Sequence, residues 1–184
     1  MNLLNRSITC CKQNPPRVLF PESMDPEILR AARYLADQKL AIPMLPGGPI
    51  EVRQFASESG IHTRGITIFH PLHSPDFKTY VRLYRHRRRH RGLSAYDSEQ
   101  HLRQPLWFSA MMLAQGKADL CLAGTELPAA AVLRPGLEIL ERKPQNGLVS
   151  GYVLLFSPEE DRMLLFTDVA VSPVPSAEDL CKIA

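Results

Sequence analysis

No apolar run in the sequence approaches the roughly 20 residues that a bilayer-crossing helix needs, so no stretch reads as a membrane span. The first thirteen residues carry Arg6 and Lys12 with no long apolar stretch between them, which does not fit a secretory signal. Cysteine is scarce: Cys10 and Cys11 are adjacent, and Cys121 and Cys181 lie far off. That spacing excludes a disulfide framework and reads as reduced thiols in a cytoplasmic protein. A metal site needs tighter grouping of Cys and His, which also sets aside His70 and His73 as ligands. Charge of one sign is lacking as well. A net charge of +3 demands no polyanionic partner, although it repels no anionic ligand. Internal repeats and low-complexity tracts are absent, apart from one basic run.

What is present is ordinary globular material: 45% apolar residues in 184, enough for one domain or one plus part of a second. Short apolar runs alternate with amphipathic segments. Arg17–Phe20 reads as a buried strand, followed by a helix with Asp25 as N-cap and Pro26 at its first position. Ala41–Leu45 and Ile66–Phe69 read as further strands, with a helix over Glu51–Glu58 between them. A long helix is expected over Pro75–His90, broken at Gly92, and a short one over Tyr96–Leu102. Another helix opens at Pro105 and ends at Gly116. Asp119–Ala123 is a strand leading into Gly124, and Ala129–Leu140 a helix. Val149–Phe156 and Met163–Thr167 pair across the polar turn Ser157–Arg162, and Ser176 with Asp179 caps a last helix. Strands alternating with helices predict an α/β fold in three layers with a mainly parallel sheet, whose ligands bind beyond the carboxyl ends of the strands. The pattern divides into a lead over 1–16, an α/β domain over 17–148, and the start of a second domain over 149–184. A hairpin and a short helix cannot bury a core alone, so this second domain reads as truncated.

Three constellations could carry chemistry. The run Arg82–Arg91 holds six arginines and two histidines, which cannot share one helix face. It fits a solvated helix end whose cations complement the dipole, or a segment that aims a phosphate-binding arginine into a cleft. Nucleic-acid binding is the weakest of its readings, because no aromatics interleave and no known motif is present. Gly124 and Thr125 sit between a strand and a helix, where backbone N–H groups can meet an anion. The same residues make a generic strand-to-helix turn, since the other glycines of a dinucleotide fingerprint and the lysine of a P-loop are missing. Arg134, beside a kinking Pro135 on an apolar helix, fits either an anion ligand or a snorkelling surface residue.

Taken in order, these pieces resemble the phosphate acetyltransferase (phosphotransacetylase) family, most of all its ethanolamine-utilisation branch. Arg17–Leu35 resembles that family's first strand and helix, and Arg88–Gly92 its basic segment. Pro105–Asp119 and Val132–Pro135 match the helix before, and the segment after, its glycine-bearing strand end. Ser150–Phe156, Phe166–Asp168, Pro175-Ser176 and Ile183-Ala184 resemble the start of its second domain. The resemblance implies interconversion of acetyl-CoA and phosphate with acetyl phosphate and CoA, with no metal or cofactor. It implies a fold like that of isocitrate and isopropylmalate dehydrogenases, usually in a homodimer, with association to a bacterial microcompartment. Arg88 and Arg134 would bind phosphate, near Gly124 and Thr125. The family's aspartate base and Ser-Arg pair would fall in a C-terminal half beyond this sequence, and Asp168 reads as structural. One departure is local. Where the family carries small hydroxyl residues and an aspartate or asparagine, this sequence has Leu127-Pro128-Ala129-Ala130-Ala131. The leading expectation is therefore an acyltransferase that needs its other half, with a non-catalytic remnant or interaction module as the alternative.

Overall fold

A computed structural model describes residues 3–140, 149–157, 162–167, 171 and 175–183. The chain divides into two compact units, Ile8–Leu140 and the segments Met1–Ser7 with Glu141–Ala184.

The larger unit is built on four parallel strands: β1 (Arg17–Leu19), β2 (Ile42–Pro46), β3 (Thr67–Phe69) and β4 (Leu120–Cys121). Their order is β3-β2-β1-β4. The chain steps outward from β1 to β2 to β3, then returns to add β4 on the other side of β1. The carboxyl ends of β1 and β4 therefore flank a topological switch point, where two outgoing connections diverge and leave a crevice.

Alternation along the strands divides the core between the two faces. Val18, Phe20 and Leu45 pack with Leu29, Ala32, Val52 and Ala56. Those partners lie on α2 (Pro26–Asp37) and α3 (Pro49–Glu58). Leu19, with Met44 against it, packs on the opposite face with Tyr80, Tyr84, Leu102, Phe108, Met111 and Ile139. These come from α4 (Phe77–Arg87), α5 (Ala95–Arg103), α6 (Pro105–Ala114) and α7 (Ala129–Ile139). The result is the three-layer, parallel-sheet arrangement that the sequence pattern predicts.

Two prolines in the interior strand β2 are accommodated by the stagger of its neighbours. Ile42 N–H bonds to Pro16, on the β1 side, so position 43 would point toward β3, which begins only opposite Met44. Pro46 would point toward β1, which has ended by then. Neither proline removes a rung of the ladder.

Helix ends follow local chemistry. The Asp25 carboxylate accepts from the N–H groups of Glu27 (2.7 Å) and Ile28 (3.4 Å), making it the cap expected for α2. The long helix expected to His90 stops earlier: α4 ends at Arg87, a 3₁₀ turn covers Arg89–Arg91, and Gly92 closes it at φ 68°. Six arginines in ten residues repel one another along a helix, and a left-handed glycine ends it cheaply.

Helix α1 (Leu3–Gln13) lies in the segment read as a bare lead. No proline or glycine interrupts it before Pro15, and only Ile8 and Cys11, three residues apart, are part-covered. In the smaller unit, β5 (Tyr152–Ser157) and β6 (Arg162–Thr167) pair antiparallel. Tyr152–Leu155 and Met163–Phe166 are all exposed, so this two-stranded ribbon buries no core. The interior of the turn expected at Ser157–Arg162 and the boundary expected at Leu148 lie outside the described residues. Helix α8 (Ala177–Ile183) has its expected capping box: Asp179 N–H donates to Ser176 Oγ (3.1 Å), and Ser176 N–H to Asp179 Oδ2 (3.0 Å).

Candidate functional site

At the switch point the loop after β1 meets the loop after β4. The Glu22 carboxylate, on the first, accepts four backbone N–H bonds from the second. Gly124 and Thr125 donate to Oε2 at 2.7 and 3.2 Å, and Glu126 and Leu127 to Oε1 at 2.9 and 3.0 Å. Gly124 has φ 109°, a conformation that side-chain-bearing residues rarely adopt, and this turns the following N–H groups toward one point. Burial pushes the Glu22 carboxyl upward, but the four N–H donors outweigh it and hold the group below its ordinary range. The loop's N–H groups thus cradle an anion, and that anion is a side chain of the same protein.

Beside it, four helices contribute to a second cluster. Arg134 and Glu138 are one turn apart on α7, and Arg134 Nε donates to Glu138 Oε1 at 3.0 Å. Arg88 Nη2 stands 3.6 Å from Glu138 Oε2. The buried Tyr84 of α4 donates its hydroxyl to the same carboxylate at 2.9 Å. Burial raises the Glu138 carboxyl, but Arg134, Tyr84 and Arg88 together bring it below its usual value. Tyr84 is pushed well above the normal phenol range by burial and by Glu138. Its oxygen lies 3.0 Å from His101 Nδ1 on α5. The His101 ring stacks on Trp107 of α6, with centroids 4.3 Å apart and planes at 20°, and the Arg134 guanidinium sits 5.8 Å from the Trp107 ring centroid. Burial lowers the His101 pKa, which Glu138 opposes and Arg134 reinforces.

The structure thus brings together Arg88 and Arg134, which sequence spacing could not. Their exposure separates them: the Arg88 side chain is 25% exposed and that of Arg134 65%. Among the described residues the Arg134 Nη groups have no protein partner, so Arg134 keeps donors for a ligand. A cavity of about 440 Å³ opens here, lined by Pro21, His101, Trp107, Leu127, Ala131 and Arg134 among others. Leu127 and Ala131 make that wall apolar where the resemblance implied hydroxyl groups. Sequence reasoning missed Glu22, Tyr84, His101, Trp107 and Glu138. Only Glu138, one turn after Arg134, left a signal, as an i,i+4 ion pair.

A larger cavity, about 500 Å³, lies toward β3, lined by Met44, Phe69, His70, His73, Tyr80 and Phe108 among others. Its cation is Lys117, it has no arginine, and it is away from the switch point. The His70 and His73 rings stand 4.8 Å apart, and His70 Nδ1 accepts from the Leu72 N–H. Among the described residues no group of three or more His, Cys, Asp or Glu is placed to hold a metal ion. Burial, aided by Glu22, pushes the Cys121 thiol up to about 12, so it carries no reactive thiolate. Asp168 lies outside the described residues.

A family model described as Phosphate acetyl/butaryl transferase matches residues 2–184. The chain belongs to that family. Among phosphate acetyltransferases, that of Clostridium acetobutylicum is 32% identical over 188 residues, taking in all of this chain and 56% of the relative. That of Nitratidesulfovibrio vulgaris is 34% identical over 173 residues, 94% of this chain and 24% of the relative. Solved structures agree on the fold. A phosphotransacetylase from Streptococcus pyogenes superposes with a TM-score of 0.85 at 24% identity, over 99% of this chain and 56% of that one. EutD phosphotransacetylase from Staphylococcus aureus gives 0.80 at 21% identity, with the same coverages. The chain therefore spans about half the length of several of the phosphate acetyltransferases it matches.

Proposed function

We propose that this chain is the phosphate-binding part of a phosphate acetyltransferase, which interconverts acetyl-CoA and phosphate with acetyl phosphate and CoA. The observation that carries this reading is Arg134: its Nη groups have no partner among the described residues and stand beside a cavity at the switch point of a parallel sheet, in a chain of this family. A guanidinium fork matches two phosphate oxygens, and Glu138 on Nε holds the fork in place. In acyl transfer such an arginine neutralises the phosphate as it leaves or attacks, while donors elsewhere stabilise the carbonyl oxygen. The base for the CoA thiol and the Ser-Arg pair belong, in this reading, to the part of the relatives' length that the chain does not span. Homodimerisation, independence from any cofactor and a cytoplasmic location are parts of the same proposal. Similarity to EutD phosphotransacetylase from Staphylococcus aureus supports placement in the ethanolamine-utilisation branch, with association to a microcompartment.

A second reading, a non-catalytic module with the same core, is favoured by one observation. Internal carboxylates already engage both anion-binding devices, Glu22 the loop and Glu138 the two arginines. Acetyl-CoA formation from acetyl phosphate and CoA decides between them, measured for the chain alone and with the C-terminal half of a relative added. Restored turnover supports the enzyme, and none in either case supports the module. In the active mixture, Arg134→Ala is expected to weaken phosphate and acetyl phosphate at least tenfold more than CoA. Equal losses would make Arg134 structural.

A further inference from the structure

The Tyr84 hydroxyl has one proton and two neighbours. Glu138, an ionised carboxylate, can only accept, so Tyr84 donates to it at 2.9 Å. The Tyr84 oxygen can then only accept from His101, 3.0 Å away, which places the imidazole proton on Nδ1. A neutral imidazole protonated at Nδ1 has a bare lone pair on Nε2. The ring lines the 440 Å³ cavity, is held by its stack on Trp107, and has no protein partner for Nε2 among the described residues. Groups facing His101 come from three helices: Tyr84 of α4, Asp97 of its own α5, and Arg134 and Glu138 of α7. Burial and Arg134 oppose a charged ring more than Glu138 and Asp97 favour it, so the neutral form holds through the neutral range.

The cavity therefore offers donors from Arg134 and one acceptor from His101. An oxyanion that still carries a proton satisfies both. Inorganic phosphate keeps an O–H throughout the neutral range, whereas sulfate has none and would set an oxygen lone pair against Nε2. We propose that His101 is a specificity residue of the Arg134 anion site, selecting inorganic phosphate over sulfate by accepting the phosphate O–H at Nε2. The proposal rests on the reading of Arg134 as the phosphate ligand, and it adds a residue whose role the carboxylate relay Glu138–Tyr84 fixes from behind.

The test is calorimetric titration of the 184-residue chain with sodium phosphate and with sodium sulfate at pH 7.5 and matched ionic strength. Phosphate is expected to bind about tenfold tighter, the lower range for one unmet buried hydrogen bond. His101→Asn keeps an N–H toward Tyr84 and removes the Nε2 acceptor. It should bring phosphate down to the sulfate affinity and leave sulfate unchanged, with Arg134→Ala weakening both. In the wild type, acidification through the lowered His101 pKa, located by the Trp107 fluorescence change, turns Nε2 into a donor and should abolish the preference without loss of binding. That arm needs no variant. Equal affinities for the two anions in the wild type, or a preference that survives in His101→Asn, overturn the role of His101 while leaving Arg134 in place. Failure of both anions to bind overturns both readings.

Discussion

Replacing Glu22 by alanine removes the acceptor of four N–H bonds at once. A hydrogen bond to a charged group contributes about 1.5–3 kcal/mol, and an ordinary one about 0.5–1.5. Residues 124–127 are exposed, so water replaces part of what is lost, and the lower figure applies. Four bonds at about 0.5–1 kcal/mol each give a loss of about 2–4 kcal/mol at pH 7. Glu22→Gln keeps one acceptor oxygen for one N–H pair and turns an NH₂ toward the other, so its loss should be at least half as large. The assay is guanidinium unfolding followed by Trp107 fluorescence, with hydrogen exchange at Gly124, Glu126 and Leu127 as the local readout. The pH dependence fixes the sign. The folded-state pKa of Glu22 is lowered, so its contribution is complete above the ordinary glutamate value, ~4.3, and disappears as the pH falls through the lowered value. The gap between wild type and Glu22→Gln should close over that acidic window. An alanine variant within about 0.5 kcal/mol of wild type at pH 7, with the three amides still protected, would refute the reasoning.

Three further outcomes are expected. Trp107 is the protein's single tryptophan and stacks on His101, so its fluorescence should fall on acidification as His101 protonates; a midpoint above about 6.5 would contradict the lowered pKa. Asp119 receives Nε, Nη2 and backbone N–H of Arg17, whose bonds hold its carboxyl down at about 2. Stability should therefore fall between pH ~4 and ~2 in the wild type and stay flatter there in Asp119→Asn, as acid titration by circular dichroism would show. Phe108→Ala should cost about 3–5 kcal/mol in denaturant unfolding, because the ring is 1% exposed and packs against Phe69, Phe77 and Tyr80.

Local chemistry settled much of the architecture before any coordinates. Asp25-Pro26 starts α2, Pro105 opens α6, Gly116 follows its end, and Ser176 with Asp179 opens α8. Each is a signal within a few residues, and the strand–helix alternation then implies a parallel sheet. The amphipathic N-terminal helix was the element missed, because its face is covered only at Ile8 and Cys11. At the site, sequence supplied single residues: Arg88, Arg134, Gly124 and Thr125. It could not say what faces them, since Glu22 reaches the Gly124 loop across about a hundred residues and Tyr84 reaches Glu138 across more than fifty. Only the crossover that returns the chain to lay β4 beside β1 makes these pairs neighbours. The resulting proximity decides which donors internal carboxylates occupy, which arginine lines the cavity, and which nitrogen of His101 meets Tyr84.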